Sequence, residues 1–311
     1  MPDPIAPEDA ATALAGVHVA LTTPFTGEGA VDRDALAVHC EALLAAGIRG
    51  LVPNGSLGEY ESLTPDERRA NVEVAVGAAR GRGIVIAGVS APDWRTAAGH
   101  ARHALEVGAD AVMLLPPTNH APTTTELVDH FRAVAAEGLP VVAYNNPFST
   151  RTDLTPELLE RLAAIDGVAA VKEFSGDVRR VSAIVERTPQ LAVLCGSDDL
   201  ALESALMGAV GWIGGFTGAL PAETVRVWEL ARLGDVGAAL PAYRALLPLL
   251  RWDATPRFVE AIKHTIDLLG GRAGGPPRPP RRVLDEGDRA LVARQLAVAR
   301  AGGEDPTGGG R

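Results

Sequence analysis

Eight short apolar runs alternate with longer amphipathic stretches along the chain, and this alternation constrains the fold more than any other feature. Each run has strand length and little polar alternation, which is typical of parallel strands covered on both faces. The order favours an α/β fold in which a helix follows each strand. The predicted strands cover residues 17–23, 50–54, 84–89, 111–116, 141–145, 168–173, 191–196 and 211–215.

The segments between the strands carry signals for helix starts and stops. Thr64-Pro65 and Thr155-Pro156 each place a capping hydroxyl before a proline at the first helical position. Gly138 ends a helical pattern just before the next strand. These signals predict helices between the strands.

Two architectures fit eight strands that alternate with helices, a closed barrel and a doubly wound sheet. A doubly wound nucleotide-binding sheet usually has a glycine fingerprint after its first strand. Here the first strand runs into TTPFTGEGAVD, which lacks G-x-G-x-x-G. We therefore predict a (β/α)₈ TIM barrel with additional C-terminal helices.

The domain organisation follows from where the strand and helix patterns begin and end. We predict an N-terminal extension at 1–13, the barrel at 14–222 and C-terminal helices packed on the barrel at 223–301. The Gly- and Pro-rich residues 270–282 are typical of a linker, but too little chain follows for a second domain. We interpret them as an ordered crossing between two added helices and predict a disordered tail at 302–311.

Composition excludes several classes of function. The net charge of −10 and the pI near 5.2 argue against a nucleic-acid partner, which needs a basic surface. Two cysteines, Cys40 and Cys195, give no disulfide framework and no cysteine-based zinc site. The sequence contains no continuous apolar stretch of about 18 residues, so we predict no membrane span. The acidic N-terminus does not resemble a signal peptide. We expect a cytoplasmic protein.

One predicted strand contains a lysine at its end. In VAAVKEFSGD the apolar residues 168–171 lead directly into Lys172. An ammonium group buried without a partner is costly, so such a lysine is expected to face a water-filled cavity or to stay neutral and nucleophilic. A lysine at a strand end can also extend to solvent along its neighbours. Position alone does not separate the two interpretations.

Other strand ends carry residues that fit a site at the same place, since the active site of a barrel lies at the carboxyl ends of its strands. The fifth strand ends in YNNP and places Tyr144 one strand away from Lys172, where a phenol can move a proton. The second strand ends in NGSLGE, in which glycines flank Ser56 and allow backbone N–H groups to converge on an anion. Either feature alone also fits an ordinary core tyrosine or a tight turn.

Together these segments resemble the dihydrodipicolinate synthase and N-acetylneuraminate lyase family of class I aldolases. The likeness covers roughly residues 14 to 300 and rests on ALTTPFTGEGAVD, NGSLGE, YNNP and VKEFSGD in the family's order and spacing. It implies that Lys172 forms a Schiff base with the keto carbon of pyruvate or a related 2-oxo acid, without metal or separate cofactor. Tyr144 corresponds to the family's proton-transferring tyrosine and Ser56 to the hydroxyl residue beside it. These three are the predicted catalytic residues.

The resemblance also implies a set of substrate contacts. The backbone amides of Ser56 and Leu57 correspond to those that hold the substrate carboxylate. Ile213, near the end of the eighth strand, corresponds to a residue whose backbone lies against the lysine site. Glu59 corresponds to part of the motif's scaffold, and we expect it to be a structural hydrogen-bond partner.

Three positions depart from the family pattern. Leu57 occupies the place of a second hydroxyl. Thr118 replaces a tyrosine that reaches a neighbouring subunit in the lysine-pathway synthases. Ser149 replaces an arginine that holds the second substrate's carboxylate, although Arg151 lies two residues later. We therefore expect a lyase that is not a true dihydrodipicolinate synthase.

Several functions remain open from the sequence. LLPPTNH is similar to a segment of sugar-acid dehydratases of the same family, so both aldol and dehydration chemistry fit. Thr118, Asn119 and Ser149 are predicted to contact the variable part of the substrate. A catalytically inactive 2-oxo-acid-binding or regulatory barrel is the alternative, and a phosphate-binding isomerase has little support because the loops after strands 7 and 8 offer no phosphate cradle. The resemblance implies a homo-oligomer, a tetramer or a dimer.

Two further groups of polar residues, a histidine pair and an aspartate pair, lie outside these motifs. His100 and His103 are three apart on a predicted helix, but helices pack outside a barrel and no third metal ligand is evident, so we predict no metal site. Asp198 and Asp199 follow the seventh strand, where they either line the pocket or cap the next helix.

Overall fold

The computed structural model describes residues 9–301 of the chain. The predicted tail at 302–311 and most of the predicted N-terminal extension lie outside the described residues. None of the helices in the described part is long and apolar enough to cross a bilayer.

Eight parallel strands form a closed barrel in which each strand pairs with the next and the first pairs with the last. This confirms the predicted α/β class and the (β/α)₈ TIM barrel. The strands are β1 Gly16–Ala20, β2 Gly50–Val52, β3 Ile84–Gly88, β4 Ala111–Leu114, β5 Val141–Asn145, β6 Val168–Glu173, β7 Ala192–Cys195 and β8 Gly211–Gly214.

The strand bounds agree best with the prediction where the site lies. β5 and β6 have the predicted bounds, and their register sets Tyr144 directly beside Lys172. β2 stops at Val52 instead of residue 54 because Asn54 adopts a left-handed backbone with φ near 60°, which no strand accommodates. The turn that follows β2 therefore begins closer to the barrel than the apolar run suggested.

Helices connect the strands on the outside of the barrel and extend the chain beyond it. Their bounds are α1 Ala10–Ala13, α2 Arg33–Ala45, α3 Pro65–Ala79, α4 Trp94–Val107, α5 Thr124–Ala135, α6 Pro147–Thr150, α7 Pro156–Leu162, α8 Arg179–Arg187, α9 Ala201–Leu206, α10 Pro221–Arg232, α11 Val236–Leu250, α12 Phe258–Leu268 and α13 Glu286–Ala301.

The predicted helix starts are confirmed at both Thr-Pro pairs. α3 begins at Pro65, and Thr64 forms a capping box with Glu67 in which each side chain accepts the other residue's backbone N–H. α7 begins at Pro156, and the Thr155 hydroxyl accepts a hydrogen bond from the backbone of Leu158. The sequence fixes these boundaries because capping depends on residues within one turn of the helix.

The hydrophobic core has an inner part inside the barrel and an outer part between the strands and the helices. Strand side chains are buried on both faces, as a parallel sheet covered by helices requires. The outer part contains the largest fully buried side chains, including Trp212 on β8 against Trp228 on α10. A rigid frame of this kind holds the strand ends in fixed positions.

The segment after β8 begins with the eighth barrel helix and continues with added helices. α10 packs on β1 and α9, so the boundary drawn at residue 222 falls inside the last helix of the barrel. α11, α12 and α13 follow and pack on one another. Residues 270–282 connect α12 to α13, and we refer to them as the crossing segment.

The crossing segment is tied to the turn after β2. The Arg278 guanidinium donates to both carboxylate oxygens of Glu67 and to the carbonyls of Ser62 and Gly29. The backbone N–H of Arg278 donates to Glu59. These bonds bring a distant part of the chain to the carboxyl-terminal mouth of the barrel.

Candidate active site

A cavity of about 330 Å³ opens at the carboxyl ends of the strands. We call it the inner cavity. It brings together five of the predicted residues, which lie on or just after β2, β5 and β6, and adds an acid from the C-terminal region. Its walls include Ser56, Leu57, Tyr144, Ser149, Lys172 and Asp253.

Lys172 is the lysine of the inner cavity. It is 5% exposed, and its Nζ lies 4.4 Å from the centre of the Tyr144 ring. Within residues 9–301 no carboxylate forms an ion pair with this amine and no group forms a hydrogen bond with it. A Cβ atom at Gly196 would lie 3.0 Å from the Lys172 Cε, so glycine leaves room for the side chain. The amine is buried, unpartnered and open to the cavity.

The YNNP motif orients Tyr144 through its second asparagine. The Asn146 amide donates a hydrogen bond of 3.0 Å to the Tyr144 hydroxyl, and both side chains line the inner cavity. Because the hydroxyl accepts this bond, its own proton remains available to a bound molecule. The Tyr144 ring also packs edge-on against Phe174, which fixes its plane.

The first asparagine of the motif, Asn145, bonds to other residues and not to Tyr144. The Asn145 amide donates to Glu173, and its carbonyl oxygen accepts from the backbone of Leu154. Glu173 also accepts from the backbone of Ser175, and burial raises the pKa of its carboxyl. This network joins the ends of β5 and β6, which keeps Tyr144 and Lys172 at a fixed spacing.

The turn after β2 carries the predicted anion site. Ser56 and Leu57 line the inner cavity, and neither backbone N–H has an acceptor among the described residues. Unpaired N–H groups beside a cavity are suited to hold a carboxylate. Asn54 anchors the start of the turn by donating to the carbonyl of Arg68, and Glu59, with φ near 56°, anchors its end.

Glu59 has no free oxygen for a substrate. One carboxylate oxygen accepts from Lys263 at 2.7 Å and the other from the backbone of Arg278 at 2.8 Å. This geometry fits the structural role expected of the motif. It also explains why an acid can be buried here.

Two buried acids lie beyond Lys172. Asp198 accepts hydrogen bonds from the Trp212 indole and from the backbones of Gly215 and Phe216, so it holds the turn after β8. It therefore neither caps a helix nor forms part of the inner cavity wall. Burial raises the pKa of Asp198 to about 6, although these donors oppose the shift.

Asp253 faces the inner cavity from the segment between α11 and α12. The backbone N–H of Asp198 donates to its carboxylate at 3.4 Å. Burial and the nearby charge of Asp198 raise the pKa of Asp253, and the charge of Lys172 opposes the increase. The pair provides acidic groups near Lys172 without forming a direct ion pair.

A second, larger space of about 570 Å³ adjoins the inner cavity. We call it the outer chamber. The two share Ser56, Asn146, Ser149 and Phe258, so a molecule bound at Lys172 can extend into it. Thr118 lines the outer chamber, as do Arg278 and Arg281 of the crossing segment.

Two predicted contact residues do not line either space. Asn119 is exposed, and its side-chain oxygen lies 2.9 Å from the ring nitrogen of His120. Ile213 is fully buried in β8, where it pairs with His18 of β1. The structure thus brings together Lys172, Tyr144, Ser56, Leu57 and Ser149, and places Thr118 further out and Asn119 at the surface. The backbone contact expected of Ile213 stays a prediction.

Sequence reasoning missed several residues of the site. Phe174 lines the inner cavity and follows Lys172 by two positions, so the VKEFSGD motif already contained a signal for it. Asn146 belongs to the YNNP motif, but the motif alone does not show that its amide bonds to the Tyr144 hydroxyl. Asp253 and Arg281 carried no usable signal, since they reach the barrel mouth from segments that follow the last strand.

A closed barrel with a lysine and a tyrosine side by side at its mouth is the architecture of a class I lyase. A model of the dihydrodipicolinate synthetase family matches residues 13–299. The chain belongs to this family, which confirms the resemblance seen in the sequence. Members of the family are lyases, and the protein is an enzyme of this class.

Relatives cover nearly the same length. A 4-hydroxy-tetrahydrodipicolinate synthase from Sorangium cellulosum is 41% identical and covers 91% of this chain and 98% of its own. A DapA-like lyase from Halobacterium salinarum is 35% identical over 91% of this chain and 93% of its own. Among solved structures, the Escherichia coli prophage protein YagE, in complex with pyruvate, is 29% identical with a TM-score of 0.87, over 92% of this chain and 98% of its own.

Proposed function

We propose that the protein is a Schiff-base-forming lyase that acts on pyruvate or a related 2-oxo acid through Lys172. The observation that carries the proposal is the buried amine of Lys172, which has no protein partner and faces a cavity beside Tyr144. The chemistry needs no metal and no separate cofactor, because the imine itself withdraws electrons.

The first step joins the lysine to the substrate. The neutral amine of Lys172 attacks the keto carbon, and loss of one water molecule from the addition product leaves an imine. Once protonated, the imine accepts the electron pair released when a bond at the neighbouring carbon breaks. The reverse sequence makes that bond, so one intermediate serves both lyase and synthase directions.

Tyr144 is the proposed proton carrier of these steps. Its hydroxyl accepts from Asn146 and so presents its own proton toward the cavity. Proton transfer to the leaving hydroxyl of the addition product, and from the carbon next to the imine, requires such a group. Ser56 lines both spaces and is the proposed second hydroxyl of the relay.

The substrate carboxylate is proposed to bind at the turn after β2. The unpaired N–H groups of Ser56 and Leu57 provide two donors. Leu57 contributes an apolar side chain, so its contact is through the backbone alone. A carboxylate held there places the adjacent keto carbon toward Lys172, which lines the same cavity.

The second substrate or leaving group differs from that of the lysine-pathway synthases. Ser149 lies in the wall shared by the two spaces and carries no charge. Arg151 is exposed, has φ near 56°, and lines neither space. We propose an aldolase or a dehydratase rather than a true dihydrodipicolinate synthase. We also propose a cytoplasmic homo-oligomer, a tetramer or a dimer.

Borohydride reduction in the presence of pyruvate tests the proposal directly. Lys172 and Lys263 are the only lysines of the chain, so the site of a covalent adduct can be assigned without ambiguity. We expect mass spectrometry to find one reduced pyruvate on the peptide with Lys172, and none in Lys172→Ala.

Lys263→Arg is the matched control, because it removes the other primary side-chain amine and keeps a cation beside Glu59. It should trap pyruvate as the wild type does. Failure of the wild type to trap any of a panel of 2-oxo acids would reject the proposed function.

A second function is favoured by the residues that depart from the family pattern. Leu57 and Ser149 line the inner cavity and Thr118 the outer chamber, so the substitutions fall at the site itself. An inactive barrel that binds 2-oxo acids would show calorimetric binding of pyruvate without turnover of any candidate substrate. The Asn146-oriented hydroxyl of Tyr144 argues against it, since a binding protein has no use for a proton carrier.

A further inference from the structure

Two arginines from the C-terminal part of the chain line the outer chamber, and one of them has free hydrogen-bond donors. Arg278 and Arg281 of the crossing segment both line this space, and their hydrogen bonding differs. Arg278 has both terminal nitrogens engaged with Glu67 and with backbone carbonyls. It is a structural clamp with little left to offer a ligand.

Arg281 keeps most of its donors. Its Nη1 donates to Glu260 and to the carbonyl of Pro256, both at 3.3 Å. Its Nε and Nη2 have no acceptor among residues 9–301, and its side chain is 35% exposed. A guanidinium with a free edge is suited to a planar carboxylate, which it can hold with two parallel hydrogen bonds.

Positive charge exceeds negative charge around the Arg281 guanidinium. Glu260 is buried between Arg281 at 3.3 Å and Arg257 at 3.6 Å, so one carboxylate faces two cations. Glu59 is buried in the wall of the outer chamber, and Lys263 neutralises its charge. Glu61 is exposed at the rim, where solvent and salt screen its charge.

From this arrangement we propose that Arg281 binds a carboxylate at the far end of the substrate, so that the enzyme is selective for 2-oxo acids with a second carboxylate. The inference rests on the proposed Schiff-base function. One carboxylate lies on the amides of Ser56 and Leu57 in the inner cavity, and the chain of the substrate passes the uncharged Ser149 into the outer chamber. The cation that position 149 lacks is thus supplied by the crossing segment.

The test uses borohydride trapping on Lys172 with two probes of equal chain length. 2-Oxoadipate carries a carboxylate at its far end, and 2-oxohexanoate carries a methyl group there. For the wild type we expect half-maximal trapping at a lower concentration of 2-oxoadipate. Arg281→Met should raise that concentration about tenfold, as the loss of a charged hydrogen-bond pair requires, and leave pyruvate and 2-oxohexanoate within about twofold.

Arg282→Met is the matched control, since Arg282 is the adjacent exposed arginine and lines neither space. It should trap both probes as the wild type does. Arg281→Lys keeps the ion pair with Glu260 but loses the planar fork, so it should fall between wild type and Arg281→Met, and it decides the matter if Arg281→Met does not fold.

The outcomes separate the two proposals. Trapping of pyruvate with no Arg281-dependent preference for 2-oxoadipate overturns the anion site and leaves the lyase proposal standing. Equal shifts in Arg281→Met and Arg282→Met also overturn it, because they indicate a general effect of charge. No pyruvate adduct on wild-type Lys172 rejects both.

Discussion

The two lysines of the chain are both buried at the barrel mouth, yet their surroundings suit opposite purposes. Each amine lies over an aromatic ring, Lys172 at 4.4 Å from Tyr144 and Lys263 at 4.5 Å from Phe25. Lys263 also forms an ion pair of 2.7 Å with Glu59 and donates to the carbonyl of Pro276. Lys172 has neither kind of partner among the described residues.

Burial alone therefore does not make a lysine reactive. Burial lowers the pKa of Lys263, while the charge of Glu59 raises it and holds the ammonium in place. An ammonium fixed in three directions cannot attack a carbonyl group. Lys172 keeps its donors free and faces a cavity, and its aromatic neighbour carries a hydroxyl that Phe25 lacks.

Removing Lys263 is expected to have the largest effect on stability. Lys263→Met leaves Glu59 buried without its cation, which should lower the free energy of unfolding by about 3 to 5 kcal/mol. Urea denaturation followed by circular dichroism measures this. The matched change Lys172→Met removes no ion pair and should cost less than about 1 kcal/mol.

The double variant Glu59→Gln with Lys263→Met sharpens the comparison further. It removes the stranded charge and should recover part of the loss. Equal destabilisation by the two single lysine variants would contradict the distinction between the sites.

Tyr144→Phe makes the Lys172 site resemble the Lys263 site, since only the hydroxyl is lost. We expect pyruvate methyl protons to exchange with deuterated water about 100-fold more slowly, because the proton carrier is missing. Proton NMR follows this exchange without a second substrate. Tyr60→Phe is the control, because its hydroxyl bonds to Glu61 in the outer chamber. Unchanged exchange in Tyr144→Phe would assign the proton transfer to another group.

The smallest expected effect is on the pH dependence of stability, and it comes from the two acids near Lys172. Burial raises the pKa of Asp198 to about 6 and also raises that of Asp253, whereas unfolded carboxyls titrate near 4. Between these values the folded protein binds protons that the unfolded chain has lost. Their contribution is therefore complete at low pH and disappears as the pH rises through the folded pKa.

Asp253→Asn carries no charge at any pH and relieves the repulsion between the two acids. As the pH rises above about 4, it should lose less stability than the wild type, because it has no carboxyl that must release a proton in the folded state. Denaturation at several pH values measures the difference, with Glu286→Gln on the exposed face of α13 as control. Parallel curves for Asp253→Asn and wild type would show that the pair does not titrate in this range.

Local signals explain how much of the fold was predictable. The Thr-Pro pairs fixed the starts of α3 and α7, because a cap involves residues within a single turn. The apolar runs located all eight strands, because a buried strand is likewise marked by residues that are contiguous in the sequence. Where the outcome depended on backbone geometry, as at Asn54 after β2, the prediction placed the boundary two residues too late.

Short contiguous stretches of the sequence specify the alternation of strands and helices and the lysine, tyrosine and serine motifs at the strand ends. The order of these elements was enough to predict the barrel. Which buried lysine is free and which is paired depends on tertiary contacts, because Glu59 and Lys263 lie 204 positions apart. Tertiary packing also brings Asp253 and Arg281 to the site and leaves Asn119 exposed outside it. Contacts between distant segments depend on packing, and no local pattern in the sequence records them.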